Sequence, residues 1–458
     1  MISTITLEGL TQVNFGLDGR ARPRLAESWA WENNNLRLRL RLRQDVVFHD
    51  GTKFTAAVAA DALSRAIARP GNKALYPSIG AVKAIRPDSE FELVIDLTER
   101  SAFLPEELDL PIGIGPDNVG TGAFRLAKRD DQGVELEKFD KYYLQPGNVD
   151  AIVIKPFDAL RTAWARLLRG EVDMITDVPP EALEFVRNDN IQVLPYLRTY
   201  QFVVAFNEKH PALRIPAVRR ALNTAVDREG LITKVLQGQG QPATGPLWPR
   251  HWAYDTAVPP YAYDPHAASL LLDSSGFAAR NDGGGEAVPA RFRFTCLLPA
   301  DFSLLERIGL EVQKQLYDVG VDMQFDVVPI EEYNSRIREG RFDAVLVDLI
   351  SGPTFGRPFI FWRTHEHFTG LNVFGYENPE TERLFQVLAS STNEAAIRSA
   401  TSRLERAFLD DPPALFLAWS QRARAVNRRF QVVESPRDPL FTIWQWTENT
   451  DRQTVSTQ

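Results

Sequence analysis

The sequence predicts an α/β protein whose first third is rich in β-strands, and three observations carry that reading. Leu36, Leu38, Leu40 and Leu42 alternate strictly with Arg37, Arg39, Arg41 and Arg43, which is the period of a strand with one apolar face. From residue 290 onward, strand patterns and amphipathic helix patterns follow each other as β-α-β-α-β, the order of a parallel or mixed sheet covered by helices. Near residue 150 the texture changes from hairpins to helix-and-strand units. With 458 residues, 44% of them apolar and 24% charged, the chain has room for two or three domains or one large bilobed body.

The elements follow in order. Residues 1–14 read as a short strand or helix, and "GLDGRARP" is a turn. "LAESWAWENNNLRLRLRLRQDVVF" is a pair of strands joined at Asn33–Asn35, with the leucines on the buried face and the arginines on a solvated, partly ion-paired one. Asp50-Gly51 makes a turn, and Thr55 is placed to cap an Ala-rich helix that stops at Pro70-Gly71. "VKAIRPDSEFELVIDLTER" is a hairpin turning at Pro87-Asp88. "DALRTAWARLLRGEV" is a helix closed by Gly170. "IQVLPYLRTYQFVVAFN" is a long extended segment, and "IPAVRRALNTAVDREGLITKVLQGQG" is a pair of helices with Asp227 as the second cap. "RNDGGGEAVP" is a surface loop. Two further helices precede a last strand, "PPALFLAWSQRARAVN", and a polar tail follows Trp446.

Composition excludes several roles. A formal net charge of -8 argues against nucleic acid as the main partner. The single cysteine, Cys296, permits neither an intramolecular disulfide nor a cysteine-based metal site. No run of residues is apolar and long enough to span a bilayer. The opening "MISTITLEGLTQVNFGLDG" lacks the pattern of a signal peptide, so the expectation is a cytosolic chain or one whose targeting segment is missing. Nucleophile-elbow, zincin, P-loop and dinucleotide motifs are missing as well. His365-Glu366-His367 is the one close histidine pair, and it reads as a surface loop; no metal and no cofactor are expected. Nine Trp and eleven Tyr are many for an acidic chain. They suit core packing or an aromatic-lined cleft, with Trp362, Trp419, Trp444 and Trp446 placed in strands or at strand ends.

Four stretches resemble family 5 of the bacterial extracellular solute-binding proteins, the oligopeptide, dipeptide and nickel receptors of ABC importers. They are "RPRLAESWAWENNNLRLRLRLRQDVVFHDGTKFTA", "VGTGAFRL", "LLRGEVDMITDVPPE" and "FNEKHPALRIPAVRRALNTAVDREGLITKVLQGQGQPATGPL". They occur in family order and, with "YDPHAASLLLDSSGF", cover most of the chain. The resemblance implies a bilobed periplasmic-binding-protein-like fold of type II, the Venus flytrap. Lobe I would comprise residues 1–22, 146–205 and 420–458. A β-rich subdomain, 23–145, would be inserted in it, and residues 206–419 would form an α/β lobe II. Ligand would bind between the lobes.

The resemblance also implies site residues. Glu8 matches the family's "EGL" glutamate, and Tyr76 sits where a cleft aromatic is expected. Tyr196, Arg198 and Tyr200 align with the cleft-lining extended segment. Asp348, Arg357 and Trp362 would form a specificity loop, and Trp419 lies on the strand that crosses between lobes. Asn207 and Gly122 are expected to be structural. Family members carry about fifty further residues and a first strand before "EGL". Peptide receptors also carry an Asp-containing loop after the strand that corresponds to "FDAVLVDL". Here Arg357 and Arg363 follow instead, which suits a carboxylate, phosphate or sugar hydroxyl. The function implied is that of a non-enzymatic, monomeric receptor. It would bind a small organic solute, peptide-like, anionic or sugar-like, and deliver it to a membrane ABC permease from the periplasm or another extracytoplasmic space. The alternative is the ligand-sensing domain of a cytosolic transcriptional regulator.

Overall fold

The computed structural model describes residues 1–145, 147–186, 188–278, 290–352, 354–363, 372–435 and 437–449. The expectations for the glycine-rich loop at 280–289, for His365-Glu366-His367 and for the tail beyond 449 lie outside the described residues. The chain divides into two units, 1–197 with 422–458, and 198–421. It passes from one to the other within two long strands, Ile191–Phe206 and Ala414–Asn427.

The arginine strand organises a four-stranded antiparallel sheet in the first unit. The order is Ala26–Glu32, Arg37–Leu42, Glu92–Leu97, Val82–Pro87. Asn33, Asn34 and Asn35 turn the first hairpin with φ of 50°, 53° and 63°, a left-handed region that asparagine tolerates better than other side chains. Leu38, Leu40 and Leu42 are fully buried, opposite Leu93 and Ile95. The helix Ala56–Ala68 covers them with Ala59, Leu63 and Ala66. Leu36 is only half-buried, because the strand begins one residue later. On the wet face Arg37 pairs with Asp96 at 2.6 Å, Arg39 with Glu32 and Asp88, Arg41 with Glu27 at 3.3 Å, and Arg43 with Asp45 at 2.7 Å. Thr55 caps the helix by accepting from the Val58 amide. The same unit holds a three-stranded antiparallel sheet, Phe124–Asp130, Gly133–Lys138 and Ala151–Ile154.

The second unit is built on a mixed sheet. Phe292–Pro299 runs parallel both to Val321–Val328 and to Ala344–Ile350. The latter pairs antiparallel with Tyr200–Phe206 of the long strand. The helices Pro216–Thr224, Arg228–Lys234 and Ser303–Asp318 bury Val218, Leu222, Leu231, Ile308 and Val312 against it. Asp227 caps the second of these by accepting from the Gly230 amide at 2.8 Å. The "VRRALN" and "DR" residues are structural. Arg219 donates to the carbonyls of Pro412 and Leu213, Asn223 to that of Ala414, and Arg228 to those of Ala243 and Phe416. Buried carbonyls at the start of the Ala414–Asn427 strand are thereby satisfied. Burial pushes the Arg228 guanidinium down to about 10.

Two expectations are corrected. The segment expected to be a specificity loop is not one: Asp348 lies inside the strand Ala344–Ile350, and Arg357 and Trp362 lie on a helix, Gly356–Trp362. Trp362 and Trp444 are also not strand residues, since Trp444 lies on the 3-10 helix Pro439–Gln445.

Candidate ligand-binding site

In an open α/β sheet, ligands bind at the carboxyl ends of the parallel strands, where loops and helix ends converge. In the 198–421 unit that edge is formed by the ends of the strands at Pro299, Val328 and Ile350. The antiparallel strand enters the unit at the same edge, because Tyr200 is in register with Ile350 and Phe202 with Asp348. Opposed residues share a face, and every second residue returns to it, so Arg198, Tyr200 and Asp348 belong to one face. Arg198 Nη1 donates to Asp348 Oδ2 at 2.9 Å, and its guanidinium carbon lies 4.1 Å from the Tyr200 ring centroid. Both members of the ion pair keep about a quarter of their side-chain surface in solvent (24% each). Phe202, Val204 and Phe206 continue the face into the apolar core, so the polar group stands where the core ends.

The opposite face of the same edge is aromatic and closed. Gln201 is fully buried, donates to the Gly245 carbonyl at 2.8 Å, and accepts from the Ser351 hydroxyl at 3.4 Å. A Cβ on Gly352 would lie 3.1 Å from Trp248 and 3.2 Å from Trp419. Those two indoles meet edge-on at 87° with centroids 4.8 Å apart. Trp419 is buried in this pair and Trp362 in another, stacked on Phe374 at 5.3 Å. Arg357 is nine-tenths buried on the helix that carries Trp362. Arg363 is held by Glu382 at 2.5 Å and 3.1 Å, so its charge is already matched within the protein.

The predicted residues of the first unit fall into three separate environments. Glu8 is buried, with Arg24 at 2.5 Å, the Thr121 hydroxyl at 2.8 Å, and the Tyr142 and Tyr143 hydroxyls at 3.1 Å and 3.0 Å. The "GTG" glycines make this possible. A Cβ on Gly120 or Gly122 would lie 1.9 Å or 2.3 Å from the carbonyl oxygens of Thr6 and Ile5, and only that close approach brings Thr121 onto the carboxylate. Burial alone would lower the pKa of Arg24. Glu8, with Tyr142 and Tyr143, more than reverses this and holds the guanidinium above its ordinary value. Burial, then the Glu8 charge, push both phenols up. Tyr76 joins two short helices and packs on the apolar cluster under the arginine strand. Tyr196 lies under Arg424, whose guanidinium carbon is 4.7 Å from the ring centroid and which forks onto Asp438.

Arg198, Tyr200 and Asp348 are therefore brought together among the predicted residues. Arg24, Thr121, Tyr142, Tyr143, Trp248 and Gly352 were not singled out from sequence. Arg24 and Thr121 stand inside the motifs "RPRLAESW" and "VGTGAF", which was the available signal. Asn207 is structural as expected, donating to the carbonyls of Gly340 and Phe342. Among the described residues there is no cluster of three or more His, Cys, Asp or Glu suited to a metal ion, and no helix is long and apolar enough to cross a membrane.

Comparison with known proteins adds three findings. The family model described as bacterial extracellular solute-binding proteins, family 5 Middle, matches residues 20–367. The oligopeptide-binding protein AppA of Bacillus subtilis (strain 168) is 23% identical over 433 residues, 88% of this chain and 79% of AppA. The glutathione-binding protein GsiB of Escherichia coli (strain K12) is 29% identical over 346 residues, 70% of this chain and 64% of GsiB. Among solved structures, NikA from Brucella suis in complex with Fe(III)-EDTA superposes with a TM-score of 0.83 at 20% identity, covering 98% of this chain and 95% of NikA. AppA from Bacillus subtilis with a nonapeptide gives 0.76 at 21%, covering 98% and 94%. These likenesses show the fold, the α/β type II periplasmic-binding-protein fold that the sequence predicts.

Proposed function

The chain belongs to the bacterial extracellular solute-binding proteins, family 5, and is a substrate-binding protein of an ABC importer; within that role we propose that it holds its solute against Arg198, Tyr200 and Asp348. The single observation that supports this reading is the quarter-exposed Arg198–Asp348 pair beside Tyr200, at the carboxyl edge of the parallel strands. It combines a planar five-donor cation, a carboxylate and an aromatic face, and so suits a small organic solute with both charged and apolar parts. A peptide-like or anionic compound is the class proposed. AppA and GsiB, named for binding an oligopeptide and glutathione, are consistent with that class, and neither relative favours a regulator's sensor.

The reading includes further parts. The protein binds without chemical conversion, works as a monomer outside the cytoplasm, and passes its solute to the permease. Residues 206–419 and the segments 1–22, 146–205 and 420–458 act as the two lobes, with 23–145 as an insertion. Arg357, Trp362 and Trp419 lie in the same unit as the Arg198–Asp348 pair, whereas Glu8, Tyr76 and Tyr196 are packed within the other unit. Titration calorimetry against dipeptides, glutathione, dicarboxylates and sugars tests this. Once a ligand is found, Arg198→Ala and Asp348→Asn are each expected to weaken it by roughly tenfold to a hundredfold, the loss of one charge-assisted hydrogen bond. Wild-type affinity in both variants would remove this pair from the site. The same measurement on Arg357→Ala decides whether that buried arginine anchors an anion.

A further inference from the structure

On the helix Glu394–Asp410, Glu405, Phe408 and Leu409 stand three and four positions apart and so share a face. With Trp419 and residues from the segment 242–259 they line a cavity of about 40 Å³. Its described lining lies within the 198–421 unit and shares no residue with the group formed by Arg198, Tyr200 and Asp348. One water needs about 10–15 Å³ of such space, so the cavity admits a small organic group and nothing the size of a peptide. Pro242 and Pro259 in the lining are exposed, which places one end of it at the surface.

The lining is poor in hydrogen-bond donors. Pro242, Pro246, Pro249 and Pro259 have no backbone N–H, and the Ala243 amide is spent on the Leu417 carbonyl at 3.2 Å. Glu405 is the one charged residue in the described lining. It is 8% exposed, its Oε1 accepts from the Asp255 amide at 3.1 Å, and its Oε2 has no hydrogen-bond partner among the described residues. The Asp255 carboxylate, which accepts from the Ser402 hydroxyl at 2.5 Å, adds negative charge near it, and Arg406 on the same helix opposes that charge from an exposed position. Burial, then the Glu405 and Asp255 charges, push the Tyr254 phenol up to about 12, so Tyr254 presents a neutral ring.

We propose that this cavity binds a small primary ammonium group, with the Glu405 carboxylate as its counter-ion and the rings of Tyr254, Phe408 and Trp419 among its walls. An ammonium brings three donors and no acceptor, the complement of a lining that is short of donors and holds a buried carboxyl oxygen. Aromatic rings attract a cation, and a buried carboxylate is costly until it is paired. An anionic ligand meets like charge from Glu405 and Asp255 and gains nothing here.

The test is titration calorimetry of the full chain with methylammonium chloride at constant ionic strength, from about pH 6 to 9, where an alkyl amine stays protonated as lysine does. Burial pushes the Glu405 carboxyl up to about 8, so binding at pH 7 must displace its proton. The expected result is saturable binding whose affinity rises roughly tenfold per pH unit below about 8 and levels off above it. About one proton is released at pH 7, read from the heats in two buffers of different ionisation enthalpy. Glu405→Gln is expected to weaken binding by at least roughly tenfold and to release no proton. Tetramethylammonium, bulkier and without N–H donors, is expected not to bind. No saturation in wild type, wild-type affinity in Glu405→Gln, or equal competition by sodium ion overturns the proposal. If the variant does not fold, proton release by wild type decides, and its absence at pH 7 overturns the proposal as well.

Discussion

Glu8 is a carboxylate taken out of water and matched by one guanidinium and three hydroxyls, and its stability is tested by removing one partner. Truncating one side of a buried ion pair leaves a charge that neither water nor protein satisfies, a cost of about 3 kcal/mol or more. Arg24→Ala is therefore expected to lower the thermal midpoint markedly, and Glu8→Gln, which keeps a hydrogen-bonding group, to lower it less; equal midpoints for wild type and Arg24→Ala would refute the account. Glu405 is a second buried carboxyl, 8% exposed. Its Oε1 accepts from the Asp255 amide, and its Oε2 has no hydrogen-bond partner among the described residues. Burial, with the Asp255 charge adding to it and Arg406 and the Asp255 amide opposing, pushes it up from 4.5 to about 8. The folded chain thus holds a proton that the unfolded chain releases. This group's contribution is fully present below pH 4.5 and is lost as pH rises through about 8. Midpoints of wild type and Glu405→Gln measured across that window are expected to move in the variant's favour as pH rises, and a constant difference would show that the carboxyl does not titrate there. Sequence pointed to Glu8 only through a motif and was silent on Glu405, because burial of a single charged residue leaves no local pattern.

Among elements, the arginine strand was the most legible, since its period-two alternation states both its conformation and its buried face. What the alternation does not state is how little the exposed side contributes. Arg39 contacts Glu32, Asp88 and Glu92, yet such surface pairs are weak and screened by salt. Leu40→Ala is expected to cost about 2–5 kcal/mol by opening a cavity in a fully buried site, with Arg39→Ala shifting the denaturant midpoint far less; a reversed order would mean that the ion pairs hold the sheet. Helix caps were equally legible, because Thr55 and Asp227 declare themselves by residue type and position. The helix Gly356–Trp362 was not. "FGRPFIFW" has no clear helical period, with Arg357 and Pro358 set among apolar residues, and burial of Ile360 and Trp362 rather than local pattern makes it a helix. The "GTG" stretch was legible as a motif but not as a mechanism. Gly122→Ala forces a methyl group to 2.3 Å from the Ile5 carbonyl, and it is expected to disturb Thr121 and lower the midpoint as a core substitution does.

For the molecule as a whole, a binding protein is stabilised by whatever it binds. At a ligand concentration of about a hundred times the dissociation constant the folded state gains roughly 2.7 kcal/mol. Wild type is expected to show a ligand-dependent rise in thermal midpoint, and Arg198→Ala a much smaller one at the same concentration. An undiminished rise in the variant points to a site elsewhere. The sequence by itself determined the period of the arginine strand and of the amphipathic helices, the caps at Thr55 and Asp227, the acidic charge, and the resemblance to a solute-binding family, because these are carried by neighbouring residues or by motifs in order. Only the tertiary structure decided which polar groups meet. Arg198 and Asp348 are 150 residues apart, and Glu8 and Tyr142 are 134 apart. Those meetings are set by sheet register, by the close approach that Gly120 and Gly122 permit, and by where the apolar core ends. No periodicity along the chain reports any of these.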